Sequence, residues 1–207
     1  MKDATIGLFV SKDDLRPHFM KPFLWDGQTV ATDGHSIILI PGEDARYQPF
    51  GDTYIKISSI FPPRSVPRTI ATQALREILD SIPLVLEVRE CPKCNGEGET
   101  ECSECGQGVR CDLCHGHGKL KPSAEDNMVP DDFMPVSIDG APIAQHLLRK
   151  LLAVADELGA KTFERVTDPF ETKANEFVFD GGVRVLLMPK RAEEITYKLK
   201  SSEAVAV

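Results

Sequence analysis

The sequence predicts an α+β body interrupted by a small cysteine-rich module. Three observations lead there. Residues 142–158 carry an apolar stripe at helical spacing and are followed by three short strand-like runs. Residues 22–41 hold apolar and β-branched runs punctuated by Asp26-Gly27 and Asp33-Gly34, both hairpin-turn dipeptides. Between these halves, residues 91–118 contain all six cysteines of the chain, as the Cys-x-x-Cys pairs Cys91/Cys94, Cys102/Cys105 and Cys111/Cys114.

Taken in order, TIGLFV (5–10) reads as a strand. Ser11 with Asp14 reads as a helix start, and Pro17 keeps that helix short, ending near Lys21. PFLWDGQTVATDGHSIILIP (22–41) reads as a β-ribbon. Residues 41–52 read as loop, Tyr54–Ile57 as a strand and the Pro-rich 60–68 as extended or turned. Ala74, Leu75, Ile78 and Leu79 place a helix over 71–81, stopped by Pro83. LVLEVRE (84–90) alternates like a strand and runs into Cys91. Residues 121–132 read as a returning linker, and Pro135–Asp139 as a strand closed by Asp139-Gly140. The long helix is expected over 142–158, with Pro142 in its first turn, Leu147, Leu148, Leu151, Leu152, Ala155 and Leu158 inward, and Gly159 at C′. Strands are expected at 162–167, 174–180 and 183–188, then a polar tail over 192–207 with a strand at Thr196–Leu199. The expected division is a body of 1–90 with 121–191, a module of 91–120 and the tail.

A chain of 207 residues, 42% hydrophobic, can bury a real core. Its net charge of −8 argues against a wholly nucleic-acid-binding surface but leaves room for a local basic strip. The N-terminal residues lack a signal-peptide apolar region, and no run is long enough to span a membrane. A cytoplasmic location is the expectation. In a reducing compartment clustered Cys-x-x-Cys pairs favour metal over disulfides.

Thiolates are soft ligands, and four in a tetrahedron suit zinc. Two intervening residues let both sulfurs reach one ion from a tight turn, and the following glycines permit the positive φ such a turn needs. A closed four-thiolate shell leaves no position for water, so the expected role is structural. CPKCNGEG (91–98) and CDLCHGHG (111–118) resemble the Cys-x-x-Cys-x-Gly-x-Gly repeat of the cysteine-rich domain of DnaJ chaperones; CSECGQG (102–108) lacks one residue before its first glycine. The resemblance implies that Cys91, Cys94, Cys111 and Cys114 share one zinc. Cys102 and Cys105 could replace an outer pair, bind a second metal with His115 or His117, or stay free thiols. No His-Pro-Asp tripeptide is present, so co-chaperone activity is not implied.

In the body, Ala31-Thr32-Asp33-Gly34-His35 resembles the Ala-Thr-Asp-Gly-His-Arg-Leu signature of the bacterial DNA polymerase III beta sliding clamp, with Ser36-Ile37 where the family has Arg-Leu. VRVLLMPKR (183–191) is similar to the clamp's Leu-Met-Pro-x-Arg ending. The resemblance implies a DNA-clamp-like domain of two βαβββ units, from 5–40 and 135–188, with the zinc-binding hairpin module inserted. It implies association with DNA in replication or repair, with His146, Arg149 and Lys150 as candidate phosphate contacts, and assembly of several copies if DNA is encircled. Asp156 and Glu157 dilute that face, and Lys190, Arg191, Lys198 and Lys200 form a second basic cluster. No P-loop, dinucleotide fingerprint or Gly-x-Ser-x-Gly is present, so a non-enzymatic protein is expected. Two other readings stand beside it: a protein-interaction or chaperone-like module with a replication or client protein as partner, and acid–base chemistry by Asp33 and His35.

Overall fold

A computed structural model describes residues 1–12, 17–51, 57–102, 105–120, 128–131, 134–168, 173–191 and 195–203. The chain divides into two compact units, Met1–Ile82 with Asp132–Val207, and Pro83–Asp131. The limits expected at 90 and 121 therefore lie inside the second unit.

The larger unit opens with a short helix α1 (Asp3–Gly7). This corrects the strand expected over 5–10: Ile6 and Phe9, three residues apart, are turned together into the core, which a strand cannot do. Of the helix expected from Ser11, Asp14 lies outside the described residues, and a single 3-10 turn stands at Pro17–Phe19. The β-ribbon forms as β1 (Phe23–Trp25), β2 (Gln28–Thr32) and β3 (Ser36–Pro41). Asp26 and Gly27 both take positive φ, as a two-residue hairpin turn requires. Of the strand expected at Tyr54–Ile57, residues 54–56 lie outside the described residues, and Ile57 begins a 3-10 turn. The Pro-rich segment becomes β4 (Arg64–Ala71), and α2 (Thr72–Asp80) follows.

The smaller unit holds two two-stranded ribbons. β5 (Leu84–Leu86) is the part of 84–90 that pairs. β6 (Glu99–Glu101) and β7 (Gly108–Arg110) form a hairpin, and β8 (Met128–Pro130) pairs antiparallel with β5.

Back in the larger unit, β9 (Pro135–Ile138) and β10 (Ala141–Ala144) form a hairpin through Asp139 and Gly140, both at positive φ. This corrects the start of the long helix. Residues 141–144 are drawn into pairing by the Asp-Gly turn, so Pro142 sits in a strand and α3 runs Gln145–Leu158. Gly159, at φ 63°, ends α3 as expected, with the Ala160 N–H bonded to the Ala155 carbonyl. β11 (Thr162–Thr167), β12 (Asn175–Val178) and β13 (Arg184–Leu187) then form. The described part of the tail is not a loose end. β14 (Tyr197–Leu199) lies parallel to β9, and β15 (Ser202–Glu203) pairs with β4.

Eight strands form one sheet in the order β1-β2-β3-β13-β12-β11-β4-β15, and β10-β9-β14 form another. Residues 135–188 thus supply a hairpin, a helix and three strands, whereas 5–40 supply a helix and three strands without a leading strand. Side chains alternate across the large sheet. Ala31, Ile38, Val185 and Leu187 belong to the cluster that includes Leu148 and Leu151 of α3. Val30, Ile37, Leu39 and Leu186 belong to another, capped by Phe19, Phe50 and Phe61. Burial on both faces accounts for the unbroken apolar run Ile37–Ile40.

Candidate metal centre

In the smaller unit the two full repeats are built alike. The Cys91 N–H donates to the Gly118 carbonyl and the Cys111 N–H to the Gly98 carbonyl, both at 2.8 Å. The Gly98 and Gly118 N–H groups each donate to the sulfur four residues earlier, Cys94 and Cys114, both at 3.2 Å. Asn95 and His115 hold φ of 48° and 53°. The last glycine of each repeat is fixed by close approach. A Cβ on Gly98 would stand 2.5 Å from the Gly116 carbonyl oxygen, and one on Gly118 closer still to that of Gly96. The glycine spacing of the repeat is therefore a packing requirement as well as a turn requirement.

This symmetry gathers Cys91, Cys94, Cys111 and Cys114. Their sulfurs all lie within 4.8 Å of one another, and all four residues are buried. Cys91 and Cys111 sulfurs are 3.7 Å apart, and Cys94 and Cys114 sulfurs 3.6 Å. A disulfide would bring a pair to about 2.05 Å, whereas thiolates about 2.3 Å from a tetrahedral zinc stand about 3.8 Å apart. The donor set fits a four-thiolate metal ion. Burial pushes the Cys94 thiol up to about 11. At Cys114 burial acts the same way but is outweighed by the Gly118 N–H and the neighbouring thiols, which bring it down to about 7. Four such thiols ionise together only around a cation. Lys93 and Asp112, at 2.7 Å, tie the two repeats together at the surface.

The third pair is elsewhere. Cys102 is half-buried and Cys105 exposed, between β6 and β7 where the hairpin turns back. The only group of three or more metal-ligating side chains among the described residues is the four-cysteine cluster, so neither Cys102 nor Cys105 joins it, and His115 and His117 complete no second group.

In the larger unit, Asp33 organises the β2–β3 turn. Its Oδ1 accepts the His35 N–H (2.9 Å), the Ser36 N–H (2.7 Å) and the Ser36 hydroxyl (3.0 Å). Its Oδ2 pairs with Lys150, whose ammonium also donates to Ser36 Oγ (3.0 Å) and lies 5.5 Å from the Phe9 ring centre. Burial would raise the Asp33 carboxyl, but the hydrogen bonds from Lys150, His35 and Ser36 prevail and hold it below the usual carboxylate range. Of the three expected phosphate contacts, Lys150 is thus engaged with Asp33. Arg149 donates to the Leu79 carbonyl at 3.3 Å, bracing α3 on α2, and His146 is exposed. From the second basic cluster, Lys198 and Lys200 line one cleft with Arg68, Ser137, Asp139 and Ser201, while the Lys190 backbone N–H donates to the Pro142 carbonyl in β10 at 2.8 Å.

An apolar recess of about 290 Å³, lined by Phe19, Phe23, Thr32, His35, Leu186 and Met188 among others, opens beside the same turn. Sequence reasoning missed it, because its lining comes from strands far apart in the chain. The signal was the excess of apolar residues on both faces of β3 and β13.

Comparison with solved structures finds bacterial sliding clamps. The DNA polymerase sliding clamp of Caulobacter crescentus is 14% identical, with 90% of this chain covering 63% of that one at a TM-score of 0.47. The DNA polymerase III beta subunit of Thermotoga maritima is 12% identical, with coverages of 91% and 63% and a TM-score of 0.47. That of Pseudomonas aeruginosa is 11% identical, with coverages of 90% and 62% and a TM-score of 0.48. The chain spans less than two thirds of the length of each. No protein-family model matches the sequence, and no curated protein does. No described helix is long and apolar enough to cross a membrane.

Proposed function

We propose that this protein is a non-enzymatic zinc-binding factor, a clamp-like body carrying a zinc-stapled hairpin, that associates with DNA in replication or repair. The observation that carries the reading is the buried four-sulfur cluster, whose 3.6 and 3.7 Å separations suit one tetrahedral ion. Zinc bound there supplies folding free energy, and the chain's part is to hold four thiolates and exclude water. The clamp-like part is supported by the placement of the two resembling segments. β3 and β13 are paired neighbours from Ser36↔Leu187 to Arg184↔Leu39, and the Met188 N–H donates to the His35 carbonyl at 2.9 Å. Arg68, Lys198 and Lys200 in one cleft offer phosphate contacts on an otherwise acidic molecule. The Asp33 carboxylate is engaged by its own turn and by Lys150, which counts against its acting as a base toward a substrate.

Two measurements test this. Metal analysis after chelator-free purification is expected to give at least about one zinc per chain. Retention of duplex DNA at low salt is expected to weaken steeply as salt rises, by roughly 0.9 logarithmic units per phosphate contact for each decade of salt. No retention at low salt overturns the DNA part.

One observation favours a second reading, in which the chain binds a replication or client protein: the apolar recess beside His35. On that reading Met188→Glu, at an exposed position lining the recess, abolishes partner binding and leaves DNA retention unchanged.

A further inference from the structure

The cleft beside the β9–β10 turn carries an unbalanced charge. Strand alternation in β14 sends Tyr197 and Leu199 against the core, so Lys198 and Lys200 stand together on the outer face. With Arg68 of β4, Ser137 of β9 and Ser201 they line an open cleft of about 630 Å³. Arg68, Lys198 and Lys200 enter no ion pair among the described residues. Among the described residues lining the cleft, Asp139 is the one carboxylate, and its oxygens are already engaged. Its Oδ1 accepts the Ser201 N–H at 2.8 Å. Its Oδ2 accepts the Ser201 hydroxyl and lies 2.8 Å from Nη2 of Arg165. Arg165 is wholly buried, with Nη1 donating to the Ile138 carbonyl at 2.8 Å and Nε making no hydrogen bond among the described residues. Burial draws its guanidinium below the ordinary value. Asp139 opposes that shift, Arg68 adds to it, and Asp168 opposes it in turn. Arg68 stands directly across from Arg165 in the β4–β11 register, an arrangement of like charges that is unfavourable without an anion. Asp139 is the counter-ion that a buried guanidinium requires, and it is thereby withdrawn from the cleft.

We infer that this cleft binds a phosphate monoester, the terminal phosphate of a DNA 5′ end or of a free nucleotide. With Asp139 neutralised by Arg165, the cations Arg68, Lys198 and Lys200 face one open space. That concentration of charge suits a terminal phosphate, which carries about −1.5 to −2 charge at pH 7 and three acceptor oxygens on one phosphorus. A backbone phosphate carries a single charge and is one of a row, so proteins that follow the backbone use a groove of cations rather than one cluster. Ser137 adds a neutral donor. Its Oγ accepts the Gly140 N–H at 2.9 Å, which leaves the hydroxyl proton for a phosphate oxygen. The inference deepens the DNA reading above and rests on it for the source of the phosphate.

The test compares the full chain's affinity for a labelled DNA duplex bearing 5′ phosphates and for the same duplex bearing 5′ hydroxyls, at one low salt concentration. Deoxyadenosine 5′-monophosphate is measured beside them by calorimetry. The phosphorylated duplex is expected to bind about tenfold more tightly, through charge-assisted hydrogen bonds that the hydroxyl end cannot make. Lys198→Ala/Lys200→Ala, at two exposed positions, is expected to erase that difference. Binding of the monophosphate as tight as that of the phosphorylated duplex means that a free nucleotide suffices, and much weaker binding means that the DNA end is needed. Equal affinity for the two duplexes overturns the inference and leaves salt-dependent DNA association standing. A preference for the phosphorylated end that survives in the double variant also overturns it, since the phosphate is then read elsewhere. Binding of the monophosphate with neither duplex retained upholds the cleft chemistry and overturns the DNA association, while no binding of any of the three overturns both.

Discussion

Gly118 and Asp33 each do more than their residue type announces. Gly118 combines φ 71° with a carbonyl oxygen where a Cβ would go, whereas Gly106, also left-handed, has open space at that position. Gly118→Ala is therefore expected to weaken zinc binding by tenfold or more, roughly 1.4 kcal/mol, measured by competition with a chromophoric chelator. Gly106→Ala carries only the backbone strain and is expected to lose less. Asp33 gives a pH prediction. Its folded carboxyl lies below its ordinary value, so the Asp33–Lys150 pairing contributes stability that is present above the unfolded carboxyl range, near pH 4. That contribution is lost as pH falls through the lowered folded value. Denaturant midpoints measured from pH 7 down to about 3 are expected to fall less in Asp33→Asn than in the wild type, the variant having lost that part already. An equal fall in both proteins would remove Asp33 from the acid response.

At the scale of elements, the sequence spoke most clearly where one periodicity ruled. α2, α3 from Gln145, the ribbon β1–β3 and strands β11–β13 were legible because their apolar residues recur at a helical or strand period between glycines and prolines. The misses have local causes. Ile6 and Phe9 suit a helix or a strand in so short a run, and only the core decides between them. Pro142 looks like a helix opener, yet Asp139-Gly140 folds the chain back three residues earlier and takes 141–144 into β10. β14 and β15 draw their partners from β9 and β4, which no local pattern reveals. The cysteine ligands were legible from spacing, while the engagement of Lys150 with Asp33, 117 positions away in sequence, was not. α3 carries the energetic weight of the body: Leu147, Leu148, Leu151, Leu152, Val154 and Ala155 are all buried. Leu151→Ala, at a wholly buried position, is expected to cost about 2–5 kcal/mol in equilibrium unfolding of the larger unit. Leu158→Ala, at a position 39% exposed, is expected to cost much less.

For the whole molecule the two units differ in what holds them together. The larger one has two apolar clusters and an eight-stranded sheet. In the smaller one the described residues bury a single cluster, the four cysteines with Leu120 against them, and leave Leu84, Val88, Leu113 and Met128 exposed. Its ribbons have two strands each, which are marginal alone in water. A metal that binds the folded site and not the open chain then supplies most of the smaller unit's stability. Removal of zinc by a strong chelator under reducing conditions is therefore expected to raise amide exchange across β6, β7 and both cysteine repeats to near the unfolded rate. Exchange in α3 and β11–β13 should stay as slow as before, and Cys91→Ser should reproduce the pattern without chelator. Hydrogen exchange read by mass spectrometry separates the two units in one experiment. Protection lost together in both would mean that the body depends on the metal as well, and that the chain folds as one cooperative unit.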